Sequence, residues 1–220
     1  AMLWMYSDVW PCGTWAIVDY NLLPKAAYYS AKRANRSILP AIVQTKAGIR
    51  AFVINDTRKT YTGRITIGQM TVGGESIFRK TYEDVTMASV QSVCAAAFGE
   101  EVKNTANSFL YMELEYDGKK DTNVFFHRFW KDIEWPEPGL HIDLCSELET
   151  EKGFITTLKL RTEKYARMVS LDFDSMESCI FSDNYFDMIP GEERVIQVES
   201  PMRLSMEKIG VSHWAGEEKK

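Results

Sequence analysis

Leu110-Tyr111-Met112-Glu113-Leu114-Glu115-Tyr116-Asp117-Gly118 places apolar residues at every second position and then breaks on Asp-Gly. A period of two is the spacing of a strand with one covered face. Leu110, Met112, Leu114 and Tyr116 are therefore assigned inward, and Tyr111, Glu113 and Glu115 outward. Asp-Gly favours the left-handed backbone that a two-residue hairpin turn requires, so Thr122 to Phe129 reads as the returning strand. Upstream, Ile38 to Thr45, Arg50 to Asn55, Arg64 to Met70, Ser76 to Tyr82 and Val93 to Phe98 are short β-rich runs divided by glycine and asparagine. About seven strands over roughly ninety-five residues match an immunoglobulin-like sandwich in count and size.

Downstream of the hairpin, Glu134-Trp135-Pro136-Glu137-Pro138-Gly139 is punctuated by proline and reads as a linker. The strand pattern then restarts. Leu158 and Leu160 share a face with Phe154 while Lys159 and Arg161 take the other, and Val169, Leu171 and Phe173 alternate in the same way. Tyr185-Phe186, the turn Ile189-Pro190-Gly191-Glu192, Val195 to Glu199 and a last run from Leu204 to His213 complete a second, smaller sandwich. Toward the start of the chain, Pro24 opens the one helical pattern, which runs to Ala34. Proline at the first helical position costs no hydrogen bond, and Lys32 and Arg33 sit where the helix dipole favours cations. Tyr28, Ala31 and Ala34 are its expected apolar stripe. The fold class is thus mainly β: two tandem sandwiches after a strand-and-helix unit.

Composition excludes several functions. The 220 residues carry a mixed net charge of −5, with no basic face of the kind that holds nucleic acid. No apolar run approaches the length that spans a bilayer. The four cysteines and three histidines are scattered and fit no metal-ligand spacing, so no metal and no cofactor is expected, and the cysteines read as buried thiols. Glu217 to Lys220 reads as a solvated tail.

The first twenty residues read differently from the rest. Trp4, Trp10 and Trp15 crowd together at a terminus, where polar sequence is usual. Trp4, Asp8, Trp10-Pro11, then Thr14-Trp15 with Asp19-Tyr20, then Pro24-Lys25, Tyr28-Tyr29 and Lys32-Arg33 follow one another in an order with a known counterpart. The block resembles the last strand and helix of the catalytic β/α barrel in glycoside hydrolase family 2, its β-mannosidase branch in particular. Ser7 stands where that family has asparagine, and Met5-Tyr6 where it has Gln-Leu. Val124-Phe125-Phe126 with Lys131-Asp132-Ile133 and Pro136-Glu137-Pro138 is similar to the junction between the family's two C-terminal sandwiches. Ser182 to Glu192 is similar to the signature of its last domain.

The resemblance implies a C-terminal piece of a retaining glycosidase. Its expected layout is a barrel remnant over 1–36, a first immunoglobulin-like sandwich over 37–133, a linker over 134–139, a second sandwich over 140–214 and a tail over 215–220. Trp4 then faces the sugar as part of the subsite floor, an indole stacking on a pyranose. Asp8 is either a sugar-hydroxyl acceptor or a carboxylate that fixes the loop, and Trp10 and Trp15 are packing residues. Leu3 to Tyr6 is a barrel strand in the parent. In this chain, residues 1 to 20 are expected to rest on the first sandwich or on a second copy, in a non-barrel conformation.

Retaining hydrolysis needs two carboxyl groups about 5–5.5 Å apart. In the family one lies in an Asn-Glu dipeptide, which this sequence lacks, so the chain itself is expected to be inactive. The implied partners are an upstream catalytic barrel of the same chain and the parent's carbohydrate substrate, with no nucleic acid and no membrane, and self-association through the cut face. A competing reading is a free-standing carbohydrate-binding or adhesion module, with Tyr111, Trp130 and Trp135 as a sugar platform.

Overall fold

The computed structural model describes residues 3–173 and 179–214. The expected solvated tail at 217–220 lies outside them. The chain divides into two compact units. One is the continuous stretch Asn35–Pro136, and the other joins the segment up to Ala34 with the chain from Glu137 onward.

The continuous unit contains β1 (Ile38–Thr45), β2 (Gly48–Asn55), β3 (Tyr61–Thr71), β4 (Ser76–Met87), β5 (Gln91–Ala97), β6 (Ser108–Tyr116) and β7 (Lys119–Phe125). They form two antiparallel sheets, in the orders β1-β2-β5 and β4-β3-β6-β7. Ala51 and Val53 from one sheet join Ile65, Ile67, Leu110, Met112 and Leu114 from the other in a single core, all fully buried. Each large aliphatic side chain so enclosed contributes about 1.5–3 kcal/mol relative to exposure. The hairpin turn has Asp117 at φ 48° and Gly118 at φ 69°, the left-handed pair expected of Asp-Gly. Because the turn takes only those two residues, β7 starts at Lys119, opposite Tyr116, earlier than Thr122. It ends at Phe125, where Phe126 leaves the sheet to pack on Phe109 and Trp135.

β6 departs from the expected half-burial. It lies between β3 and β7, and both of its faces are covered. Tyr111 is enclosed because its ring lies over Gly68 of β3, where an added Cβ would come within 2.6 Å of the ring. Glu113 is enclosed too, its carboxylate held by Lys120 at 2.5 Å and Arg79 at 3.5 Å.

The discontinuous unit contains α1 (Ala26–Ala34), β8 (His141–Thr150), β9 (Gly153–Arg161), β10 (Ala166–Phe173), β11 (Ile180–Phe181), β12 (Phe186–Met188), β13 (Glu193–Ser200) and β14 (Ile209–Ser212). Its sheets run β11-β13-β9-β8 and β12-β10-β14. Leu158, Leu160, Val169, Leu171, Phe186, Met188, Ile196 and Val198 fill the space between them, and Tyr29 of α1 enters the same core. The helix thus packs on the second sandwich, and the segment before it belongs to the same unit, where residues 1 to 20 were expected on the first sandwich or a second copy. Its buried residue is Tyr29; Tyr28 is only partly covered, which rotates the contact face away from the expected stripe.

Leu3 to Tyr6 is not a strand among the described residues. A strand requires a neighbour to pair with, and the bridges nearby are isolated ones beyond this segment, Ser7 to Val18 and Val18 to Pro24. Cys12, Cys94 and Cys145 are exposed free thiols, contrary to the buried state expected, while Cys179 is buried.

Candidate functional site

The segment from Leu3 to Lys25 is held by a few well-placed bonds. Asp8 N–H donates to Val18 O at 3.0 Å, Val18 N–H to Tyr6 O at 2.9 Å, and Lys25 N–H to Ile17 O at 2.9 Å. Ala16, Ile17 and Val18 are buried beneath it. Asp8 closes the arrangement. Its Oδ1 accepts from the Thr14 hydroxyl and its Oδ2 from Lys25 Nζ at 2.5 Å, and its side chain is wholly inaccessible. The Lys25 ammonium, with the Thr14 hydroxyl second, holds the Asp8 carboxyl below the usual carboxylate range.

The aromatics of this segment face outward. Trp4 is 84% exposed, Trp10 72% and Trp15 77%, with Tyr6, Val9, Tyr20 and Leu22 also open. Trp10 and Trp15 are therefore not packing residues in this chain, contrary to expectation. The side chains that pack are Ala16, Ile17 and Val18, which follow Trp15. Trp4 and Asp8 share the segment but differ in kind, one an open indole and the other a satisfied carboxylate.

The motif from Ser182 to Glu192 is the second element of the site. Asn184 is fully buried and bonds both peptide groups of Leu171: Leu171 N–H donates to Oδ1 at 2.9 Å, and Nδ2 donates to Leu171 O at 3.0 Å. Asn184 precedes β12 by two residues, so its carboxamide meets β10 as a neighbouring strand would. Asp187 accepts from Met168 N–H and from the Tyr165 hydroxyl, both at 2.8 Å. Burial, then the Asp187 charge, pushes the Tyr165 phenol well above its ordinary range. With every carboxylate of the motif engaged, it is a turn fixed by its own side chains. No cluster suited to a metal occurs among the described residues.

Sequence reasoning missed what this turn receives. Arg33 and Lys32 of α1 bond directly to residues 182–185. A pairing across some 150 residues leaves no periodic trace in the sequence.

The sugar platform of the competing reading does not assemble from Tyr111, Trp130 and Trp135. Tyr111 is buried, and Trp135 donates to Trp130 O at 3.0 Å with its ring against Phe126. Two clefts open on the described surface. One, of about 530 Å³, is lined by Arg36, Tyr61, Tyr116 and Lys119 and contains Asp121, which is bonded to Arg36. The other contains Glu199 beside Lys152 and Phe154. Each has a single carboxyl group where retaining hydrolysis uses two. Glu147, beside Ser146 within β8, is paired with Arg203 at 2.6 Å.

Comparison with known proteins agrees with this architecture. Residues 48–132 match the mannosidase Ig/CBM-like domain, and residues 136–215 match the mannosidase Ig-fold domain. β-Mannosidase B of Aspergillus clavatus is 25% identical over 230 residues, which take in 90% of this chain and 25% of that protein. The Aspergillus niger enzyme of the same name is 25% identical over 227 residues, with the same coverage. The β-D-mannosidase of Dictyoglomus thermophilum superposes with a TM-score of 0.81 at 25% identity, over 96% of this chain and 26% of its own. An exo-chitosanase of Amycolatopsis orientalis, 14% identical with a TM-score of 0.72, shares the fold over 97% of this chain and 30% of its own. Fold and matches together define tandem immunoglobulin-like domains of the mannosidase type. The chain is similar to β-mannosidases across both sandwiches and spans about a quarter of the length of the curated relatives it matches.

Proposed function

We propose that this chain serves a retaining β-mannosidase in which the two sandwiches buttress a catalytic β/α barrel and the segment around Trp4 completes the wall of its sugar site. The observation that carries the proposal is the exposed indole of Trp4, presented with Trp10 and Trp15 on a segment otherwise held by buried residues and the Asp8–Lys25–Thr14 bonds. An open, rigid indole suits the apolar face of a pyranose and loses little entropy on contact. In this reading Trp4 touches the sugar. Asp8 keeps the loop in place, because contact with a sugar hydroxyl would require it to release Lys25 or Thr14. The exposed aromatics beyond Trp4 cover the barrel, and in the isolated chain the same face drives self-association.

The test is hydrolysis of nitrophenyl β-mannoside. The 220-residue chain alone should show no turnover, whereas the complete protein containing it should be active, with Trp4→Ala raising KM and lowering kcat. Turnover by the isolated chain, abolished by changing one Asp or Glu between residues 37 and 215, would overturn the proposal. So would a complete protein indifferent to Trp4→Ala.

A further inference from the structure

The Arg33 guanidinium donates from Nη1 to Asp183 Oδ1 at 2.5 Å and to Asn184 O at 3.0 Å, and from Nη2 to Tyr185 O at 2.8 Å. Next to it, Lys32 Nζ donates to Ser182 O at 2.8 Å. Two consecutive residues in the last turn of α1 thus engage four consecutive residues of one turn in the second sandwich. A planar fork of donors fits such a set of acceptors, which a point charge does not.

The receiving turn is rigid from behind. Asn184 locks it to β10, and Asp187 locks it to Tyr165 and Met168. Arg194 lies 3.6 Å from the far oxygen of Asp183, bonds Glu192 at 2.7 Å and rests on the Phe186 ring. Tyr185 is held at φ 51°, a conformation that a bulky residue adopts only where its surroundings impose it.

At its other end α1 continues directly into the Trp4 segment. Lys25 N–H bonds Ile17 O, and Lys25 Nζ bonds Asp8, whose own N–H is tied to Val18. A rigid helix fixed at Arg33 therefore fixes the loop that begins at Lys25.

We infer that the turn at 182–187 is the seat that positions the Trp4 segment, with Arg33 as a positioning residue for sugar contact at Trp4. This rests on the function proposed above. It assigns to the second sandwich a part in substrate placement, in addition to mechanical support.

Two experiments test it. In the 220-residue chain, Arg33→Met should accelerate hydrogen exchange at the Asp8, Val18 and Lys25 amides roughly tenfold or more, while amides in 35–136 keep their wild-type rates. Lys32→Met, which removes a single more exposed bond, should act in the same direction but less, and it covers the case in which Arg33→Met does not fold. In the complete enzyme, Arg33→Met should raise KM for a β-mannoside roughly tenfold, with a smaller change in kcat, and Arg33→Lys should restore only part of it. Unchanged exchange at those three amides in both variants would overturn the inference, as would wild-type kinetic constants in an Arg33→Met enzyme assayed below its melting temperature. If the wild-type complete protein does not cleave β-mannosides, the proposed function fails, while the exchange measurement still decides whether the seat holds the segment.

Discussion

Replacing Asn184 with alanine removes the anchor of the receiving turn, and the cost can be worked from its bonds. Asn184 Oδ1 accepts from Leu171 N–H at 2.9 Å and Tyr185 N–H at 3.0 Å, and Nδ2 donates to Leu171 O at 3.0 Å. Asn184 and Leu171 are both fully buried, so alanine leaves the N–H and C=O of Leu171 without partners and without water. Each such orphaned group costs about 1–3 kcal/mol, which gives a loss of roughly 2–6 kcal/mol for the pair. Against a domain stability of about 5–15 kcal/mol this is a large fraction. Urea unfolding followed by near-UV circular dichroism should show the midpoint of the discontinuous unit falling sharply. The transition of 35–136 should not move and serves as an internal reference. Asn184→Asp should be nearly as harmful, because its second oxygen would face Leu171 O with no proton to share at neutral pH. A loss below about 1 kcal/mol for Asn184→Ala would refute the argument, since it would mean that water reaches the Leu171 peptide groups.

Gly68→Ala should lower the stability of 35–136 by about 1–3 kcal/mol, because the new Cβ meets Phe78 O and the Tyr111 ring at 2.6 Å. Gly73→Ala, with its nearest contact at 3.6 Å, is the thermal-melt control, and equal melting temperatures would contradict this packing. Burial pushes the Tyr29 phenol up to about 12 and the Tyr165 phenol well above its ordinary value. Both raised values mean that stability is full below the unfolded phenol range near pH 10 and is lost as pH climbs through the folded values. Tyr165→Phe should therefore be less stable at neutral pH, having lost its bond to Asp187, yet decline less steeply above about pH 10 in pH-dependent urea titrations. Finally, 35–136 expressed alone should unfold in one cooperative transition, whereas 137–214 alone should be markedly weakened by the loss of Tyr29 from its core. Calorimetry of the two pieces checks both statements.

Much of the fold was legible because local rules and global packing agree. Ile38 to Thr45 was read to the residue, and the face carrying Leu158 and Leu160 is the buried one. The failures have a common cause, namely partners that are distant in sequence. Tyr111 reads as outward from its period, yet a glycine forty-three positions earlier opens the space that encloses it. Tyr29 is indistinguishable from Tyr28 in a helical pattern until the sandwich core that takes it in is known. The tryptophans announced an aromatic segment, but composition does not say which rings pack and which stay open. In the motif after Ser182, turn chemistry was readable from Asp183 and Asn184. Its seat for Lys32 and Arg33 was not, because three of the four acceptors are backbone carbonyls, which any sequence supplies.

The 150-residue interval between Arg33 and its seat has a bearing on biosynthesis. At a synthesis rate of about 5–20 residues per second, α1 is made roughly 8–30 s before Asp183. Over that interval the continuous stretch from Asn35 to Pro136 can close its own sandwich, since all of its strands are already present. The tryptophan-bearing segment meanwhile has neither Arg33's acceptors nor the core that takes in Tyr29. A ribosome that pauses late in this chain therefore exposes a finished domain beside a tryptophan-bearing segment that α1 does not yet anchor. Folding helpers and proteases would meet this protein at that point, and synonymous codon choice in the stretch encoding residues 140–190 becomes a determinant of its yield.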